Sequence, residues 1–131
     1  MNTQLELDFF NASEFETRLK CTIQKTGKLG FNESAIKKLH LNENKSIKFG
    51  KSKDIQDVES LYMVILDGVE SEAFKVNKAG TYYYLNTKGL FDKLGYDYSV
   101  KTIMFDIIEV ANGVSAIYKL IKREVPRKQR D

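Results

Sequence analysis

The chain has 131 residues, 42% of them apolar and 30% charged, with a net charge of +3, which fits one globular domain large enough to bury a core. A single cysteine, Cys21, excludes a disulfide within the chain, and a single histidine, His40, excludes a multi-histidine metal site. The first ten residues lack the basic start and apolar run of a signal peptide. The longest apolar run, 61–66, is too short to cross a bilayer, so a cytoplasmic protein is expected.

In chain order, residues 1–13 are polar and mixed and are expected to be a flexible lead-in. Phe15, Leu19, Cys21 and Ile23 share one parity while Glu16, Arg18, Lys20, Thr22 and Gln24 take the other, which predicts a half-buried strand. Thr26-Gly27 marks a turn, and 29–31 a short return strand. A helix of two or three turns follows, with Asn32 or Ser34 as its cap and Ala35, Ile36 and Leu39 as its buried side. Residues 45–49 alternate again, with Ile47 and Phe49 inward and Lys48 outward.

The polar stretch 50–60 reads as a connection. Residues 61–66 predict a buried strand, turned by Asp67-Gly68 into another near 72–76. Then come a strand over 81–85, a cap at Asn86 or Thr87 and a helix over 88–94. A strand over 102–110 meets Asn112-Gly113, the strongest two-residue hairpin signal in the chain, and its partner runs over 114–121. Residues 122–131 surround Pro126 with charge and no apolar period, and are expected to be a mobile basic tail.

One pattern occurs twice. Gly27 answers Gly80, Asn32 answers Asn86, and Lys38-Leu39 answers Lys93-Leu94, while Lys45, Ile47 and Phe49 answer Lys101, Ile103 and Phe105. The offset drifts from 53 to 56, yet the order of turn, strand, cap, helix and strand is kept. The fold class expected is mainly β with two short helices (α+β). Residues 14–121 would form a single domain of two related β-β-α-β halves, about 15–60 and 61–121, in a pseudo-symmetric barrel.

Charge is segregated. Residues 1–16 carry four acids and no base, 17–54 ten bases and three acids, and 55–74 five acids and no base. From Lys119 onward there are six bases and two acids. Such asymmetry points to an anionic partner, although solvated strand and helix faces would produce the same counts.

No chemistry of catalysis is spelled out. T-G-K-L-G lacks the phosphate-loop spacing, and Gly50-Lys51-Ser52 lacks a glycine five positions earlier, where Lys45 stands. The carboxylate pairs Asp54/Asp57, Glu70/Glu72 and Asp106/Glu109 have no base or nucleophile in a recognisable constellation. Cys21 reads as a small core residue and His40 as a helix-end residue. A non-enzymatic protein is expected, without metal or cofactor.

Gly27-Lys28-Leu29-Gly30-Phe31, a helix-starting Asn32, Leu39-x-Leu41, a polar turn and Lys45-Ser46-Ile47-Lys48-Phe49 resemble the swapped-hairpin DNA-binding domain of AbrB, MazE and MraZ proteins. The match runs without a gap over residues 27–49, and the second copy brings the resemblance to about half the chain. Departures are Asn32 and Asn86 where the family opens its helix with proline, His40 where it ends the helix with glycine, Asn44 at the turn glycine, and Thr81 at the second basic position. The resemblance implies interleaved hairpins in a small barrel, DNA contacts from basic residues on strands and loops, and two copies in one chain as in MraZ-like proteins.

The expected function is therefore regulatory binding of nucleic acid, duplex DNA first, with a second copy of the chain as a further partner and no membrane. Lys20, Lys25, Lys28, Lys45, Lys48 and Lys78, with Arg123, Arg127, Lys128 and Arg130 of the tail, are the candidate phosphate contacts. Tyr82 and Tyr84 face one side of their strand and are candidates for stacking on single-stranded bases, while cross-strand aromatic packing would use them equally well. An assembly module working through strand edges and tyrosines stays open as the alternative.

Overall fold

The computed structural model describes residues 4–10, 12, 18–53, 60–113 and 115–127. Phe15 of the first expected strand, the pair Asp54/Asp57, and Lys128 and Arg130 of the expected site lie outside them. The elements run β1 (Lys20–Ile23), β2 (Leu29–Phe31), α1 (Glu33–Lys38), β3 (Lys45–Lys51), β4 (Leu61–Asp67), β5 (Phe74–Lys75), β6 (Asn77–Ala79), β7 (Tyr82–Leu85), α2 (Lys88–Lys93), β8 (Lys101–Asn112) and β9 (Ala116–Pro126). The protein is mostly β with two short helices, as the alternation and caps imply.

Among the described residues nine strands form one sheet in the order β5-β3-β4-β9-β8-β1-β2-β7-β6. Every pairing is antiparallel. The two ends of that order, β5 and β6, are consecutive in the chain with only Val76 between them. The sheet thus curls into a nearly closed barrel, which leaves few strand edges bare.

Inward positions of the alternating strands fill the barrel. Ile23, Leu29, Ile47, Met63, Leu85, Ile103 and Phe105 are all buried, and Cys21 is a core residue beside them. Burial pushes the Cys21 thiol above its ordinary value, and the Asp106 carboxylate adds to that shift, so it stays a neutral packing group. Phe49 is only partly buried against this core, edge-on to Phe74 at 5.5 Å.

Each helix is one and a half turns and depends on packing, through Ala35 in α1 and Phe91 in α2. Asn32 caps α1: its Oδ1 accepts from Ala35 N at 2.9 Å and from Lys20 N at 3.2 Å, while its Nδ2 donates to Arg18 O. One side chain therefore fixes both the helix start and the approach to β1. In α2 the cap residue is Thr87, and Asn86 is exposed. The Thr87 hydroxyl, fully buried, donates to Gly27 O at 2.9 Å and accepts no cap bond from its own helix. The β1–β2 turn is thereby clamped to the start of α2.

Two expectations change. Residues 77–79, unassigned in the sequence, form β6 and pair with β7 through Asn77–Tyr84, Lys78–Tyr83 and Ala79–Tyr82. The strand over 114–121 is longer: β9 runs to Pro126 and pairs with β8 down to Lys101, so residues 122–126 are sheet and not tail. Arg127 continues the anchoring, donating from Nε and Nη2 to Tyr98 O at 2.9 and 2.7 Å. The charge pattern of 122–127 looks disordered because this end of the ribbon is solvated on most sides, and its backbone ladder leaves no mark in composition. No helix of the described residues is long and apolar enough to cross a membrane.

Candidate nucleic-acid interface

Ion pairing sorts the expected cations into those already engaged and those left over. Lys45 lies 3.7 Å from Asp67, its cross-strand partner, and Lys48 lies 3.5 Å from Glu70. The Arg123 Nε sits 2.7 Å from Asp106 Oδ2. Lys20 is half-buried on β1 opposite Asp106. Arg127 spends its donors on Tyr98 O and, at 3.5 Å, on Ile23 O, which makes it a structural clasp between β1 and the end of β9. Even Glu124, within the expected tail, takes Lys101 and Lys122 at 3.3 Å each. Hydrogen bonds from Lys101 and Lys122 hold its carboxyl below the usual carboxylate range.

Lys25, Lys28 and Lys78 differ. Among the described residues none of them pairs with a carboxylate. Lys25 is exposed in the β1–β2 turn. Lys28 places its ammonium 4.8 Å from the centroid of Tyr84, and Lys78 sits 5.8 Å over Tyr83. Both are cation–π contacts, which hold the ammonium near the ring without consuming its three donors. The sequence separates these lysines widely. β7 lies between β2 and β6, so Lys28 reaches it from one side and Lys78 from the other, Lys28 with Tyr84 on the outer face and Lys78 with Tyr83 on the opposite face.

The tyrosines divide by parity as a strand requires. Tyr82 and Tyr84 stack on the outer face, centroids 5.9 Å apart and rings 17° from parallel. Tyr83 packs against the core on the other side. Gly30 makes the outer arrangement possible: a Cβ there would sit 1.8 Å from Tyr82 Oη. The absent side chain lets the Tyr82 ring lie flat across β2, and a glycine in a strand is the one sequence signal of this close approach. The Tyr82 hydroxyl is buried with no hydrogen-bond partner among the described residues. Burial raises its pKa, and neighbouring Tyr84 raises it further.

A cleft of about 570 Å³ opens beside the stack, between α1 and the β6–β7 hairpin, lined by Phe31, Glu33, Ile36, Lys37, Lys78, Thr81, Tyr82 and Tyr83, with Lys37 paired to Glu33 at 2.9 Å. The face therefore offers flat π surface, flexible cations and a neighbouring concavity. Two further basic–aromatic contacts carry no signal in the sequence, Lys122 over Tyr96 at 4.7 Å and Lys119 over Tyr62 at 6.0 Å. The same holds for Lys88, Asp92 and Tyr98, where Asp92 accepts from Lys88 Nζ at 2.6 Å and Tyr98 Oη at 2.5 Å. The Lys88 hydrogen bond, then that of Tyr98, holds the Asp92 carboxyl below its ordinary value. Among the described residues no group of three or more His, Cys, Asp and Glu side chains could hold a metal ion. No known protein family, characterised protein or solved structure matches this chain.

Proposed function

We propose that the protein is a non-enzymatic nucleic-acid-binding protein that works through the outer face where the β1–β2 turn meets β7. The observation that carries this reading is the Lys28–Tyr84–Tyr82 row, flanked by exposed Lys25, on a sheet whose other candidate cations are largely engaged with carboxylates or carbonyls. Lys25 and Lys28 neutralise phosphates. The half-exposed tyrosines supply flat surface, and the adjacent cleft accommodates a base or sugar.

The same proposal holds that the chain is two related halves of the AbrB/MazE/MraZ type, fused into one barrel. Two strand pairings support it, since β1 with β2 corresponds to β6 with β7 and β8 with β9 to β3 with β4, while β1 with β8 has only an approximate counterpart in β3 with β5, the strand next to β6. β1 with β8, β2 with β7, β3 with β4 and β3 with β5 each join a strand of residues 15–60 to one further along the chain. Helix ends support it too. Leu41 N donates to Ile36 O after α1, and Tyr96 N to Phe91 O after α2, with His40 and Gly95 both at positive φ between. The turn glycines Gly27 and Gly80 share positive φ.

Duplex DNA is the target that this family type favours. The Tyr82–Tyr84 pair favours a single strand, since stacking on aromatic rings contributes about 1–3 kcal/mol per base. One titration series separates them. Binding of a duplex and of a single-stranded oligonucleotide is measured against salt for the native chain, for Lys25→Ala with Lys28→Ala, and for Tyr84→Leu. Each phosphate contact contributes about −0.9 to the slope of log K against log salt on a duplex and about −0.7 on a single strand. The double lysine variant is expected to flatten the slope by up to roughly two units on a duplex. Loss on Tyr84→Leu confined to the single strand selects the stacking mode. Absence of binding to both nucleic acids at low salt overturns the proposal and leaves the assembly module in its place.

A further inference from the structure

Residues 4–10 carry an unsatisfied apolar face. Leu5 is 81% exposed, Leu7 60% and Phe9 87%. They alternate with Glu6 and Asp8, so an extended chain puts three large apolar side chains on one side and two carboxylates followed by Phe10 on the other. Contiguous exposed apolar surface of this kind marks a contact site.

A groove of matching character lies on the outer face of the barrel. Lys48, Val64, Ile117 and Ala111 are successive cross-strand neighbours on β3, β4, β9 and β8. Gly50 and Tyr62 begin the next row. The groove over them has a volume of about 460 Å³ and is walled by Tyr62, Val64, Val110 and Ile117, with Lys48 and Lys51 on its rim. Gly50 has nothing within 4 Å of where a side chain would start, so the floor is open. Val110 is 49% exposed, as unusual for a sheet valine as the leucines are for the leading segment. An apolar strip with two acids and no base thus exists in the same chain as an apolar groove edged by lysines.

We propose that residues 5–9 of a second copy lie in this groove, and that two chains exchange these segments about a two-fold axis. Leu5, Leu7 and Phe9 pack on Tyr62, Val64, Val110 and Ile117, while Lys51 reaches up along the strand to Glu6 or Asp8 and Lys48 stays with Glu70. A surface that carries both the segment and its acceptor is self-complementary, which is the requirement of an isologous dimer. Two segments of five residues make an interface at the small end of the range, so dissociation falls in the micromolar region.

Sedimentation of the full chain from 5 to 500 µM tests this. The expected result is a shift from one chain mass to two across that range. Leu7→Lys with Phe9→Lys abolishes the shift, and Val64→Lys on the acceptor side abolishes it independently. Each variant keeps the native melting temperature when measured dilute, because the altered side chains lie outside the barrel core. A single-chain mass at 500 µM, including one in which the segment folds onto its own groove, overturns the proposal. So does a dimer that persists in the double variant. Neither result bears on nucleic-acid binding, which uses another face.

Discussion

Gly27 and Gly80 each lie in a turn between antiparallel strands, β1–β2 and β6–β7, yet their surroundings differ. Both have positive φ, +87° and +64°, a conformation that costs a non-glycine residue about 1–2 kcal/mol. At Gly80 nothing lies within 4 Å of where a Cβ would stand, whereas at Gly27 a Cβ would lie 2.7 Å from Lys88 Cβ and 2.9 Å from its Cα. The Gly27 turn is wedged against the start of α2 and cannot move away, because Thr87 Oγ1 holds its carbonyl. Gly80→Ala is expected to cost about 1–2 kcal/mol. Gly27→Ala should cost roughly 2–4 kcal/mol, since overpacking adds to backbone strain. Urea unfolding midpoints of the two variants check this, and equal losses would mean that the clamp is slack. The turn glycines and the Asn32 cap are legible in the sequence because their signals are local. The Thr87–Gly27 bond and the Tyr82–Gly30 approach are not, since each joins residues that only the sheet brings together.

Among the elements, β9 departs most from what the sequence implies. Its last residues, Lys122 to Pro126, have no apolar period, and a period is the signal by which a strand is read. They form a strand because β8 offers a continuous ladder from Lys101 upward and because Lys101, Lys122 and Arg123 find carboxylates on the same surface. Arg127 closes the end by bonding Tyr98 O and Ile23 O. Arg127→Ala is therefore expected to destabilise the fold by about 1–3 kcal/mol, the range for losing hydrogen bonds to a charged donor. A tail would show no change. Thermal melts read the difference, which for a chain of this length corresponds to several degrees per kcal/mol. The helices stand where the sequence puts them but are shorter than the two or three turns expected of the first, at six residues each with one buried side chain, Ala35 or Phe91.

At the scale of the molecule, a nearly closed barrel arises because the two terminal strands of the sheet order, β5 and β6, are neighbours along the chain. The mostly β character and the two short helices are readable in the sequence, because alternation and turn signals are local. Which lysines remain available is not, because that depends on cross-strand partners such as Asp67 and Asp106 that composition places far away. The candidate surface consequently contracts from a spread of cations to Lys25 and Lys28 with Tyr82 and Tyr84. Amide chemical shifts followed while an oligonucleotide is titrated into the labelled protein test this most directly. The largest changes are expected on residues 24–30 and 82–85, with smaller ones at 77–79. Changes concentrated at residues 119–127, or none at millimolar oligonucleotide in low salt, would contradict that placement.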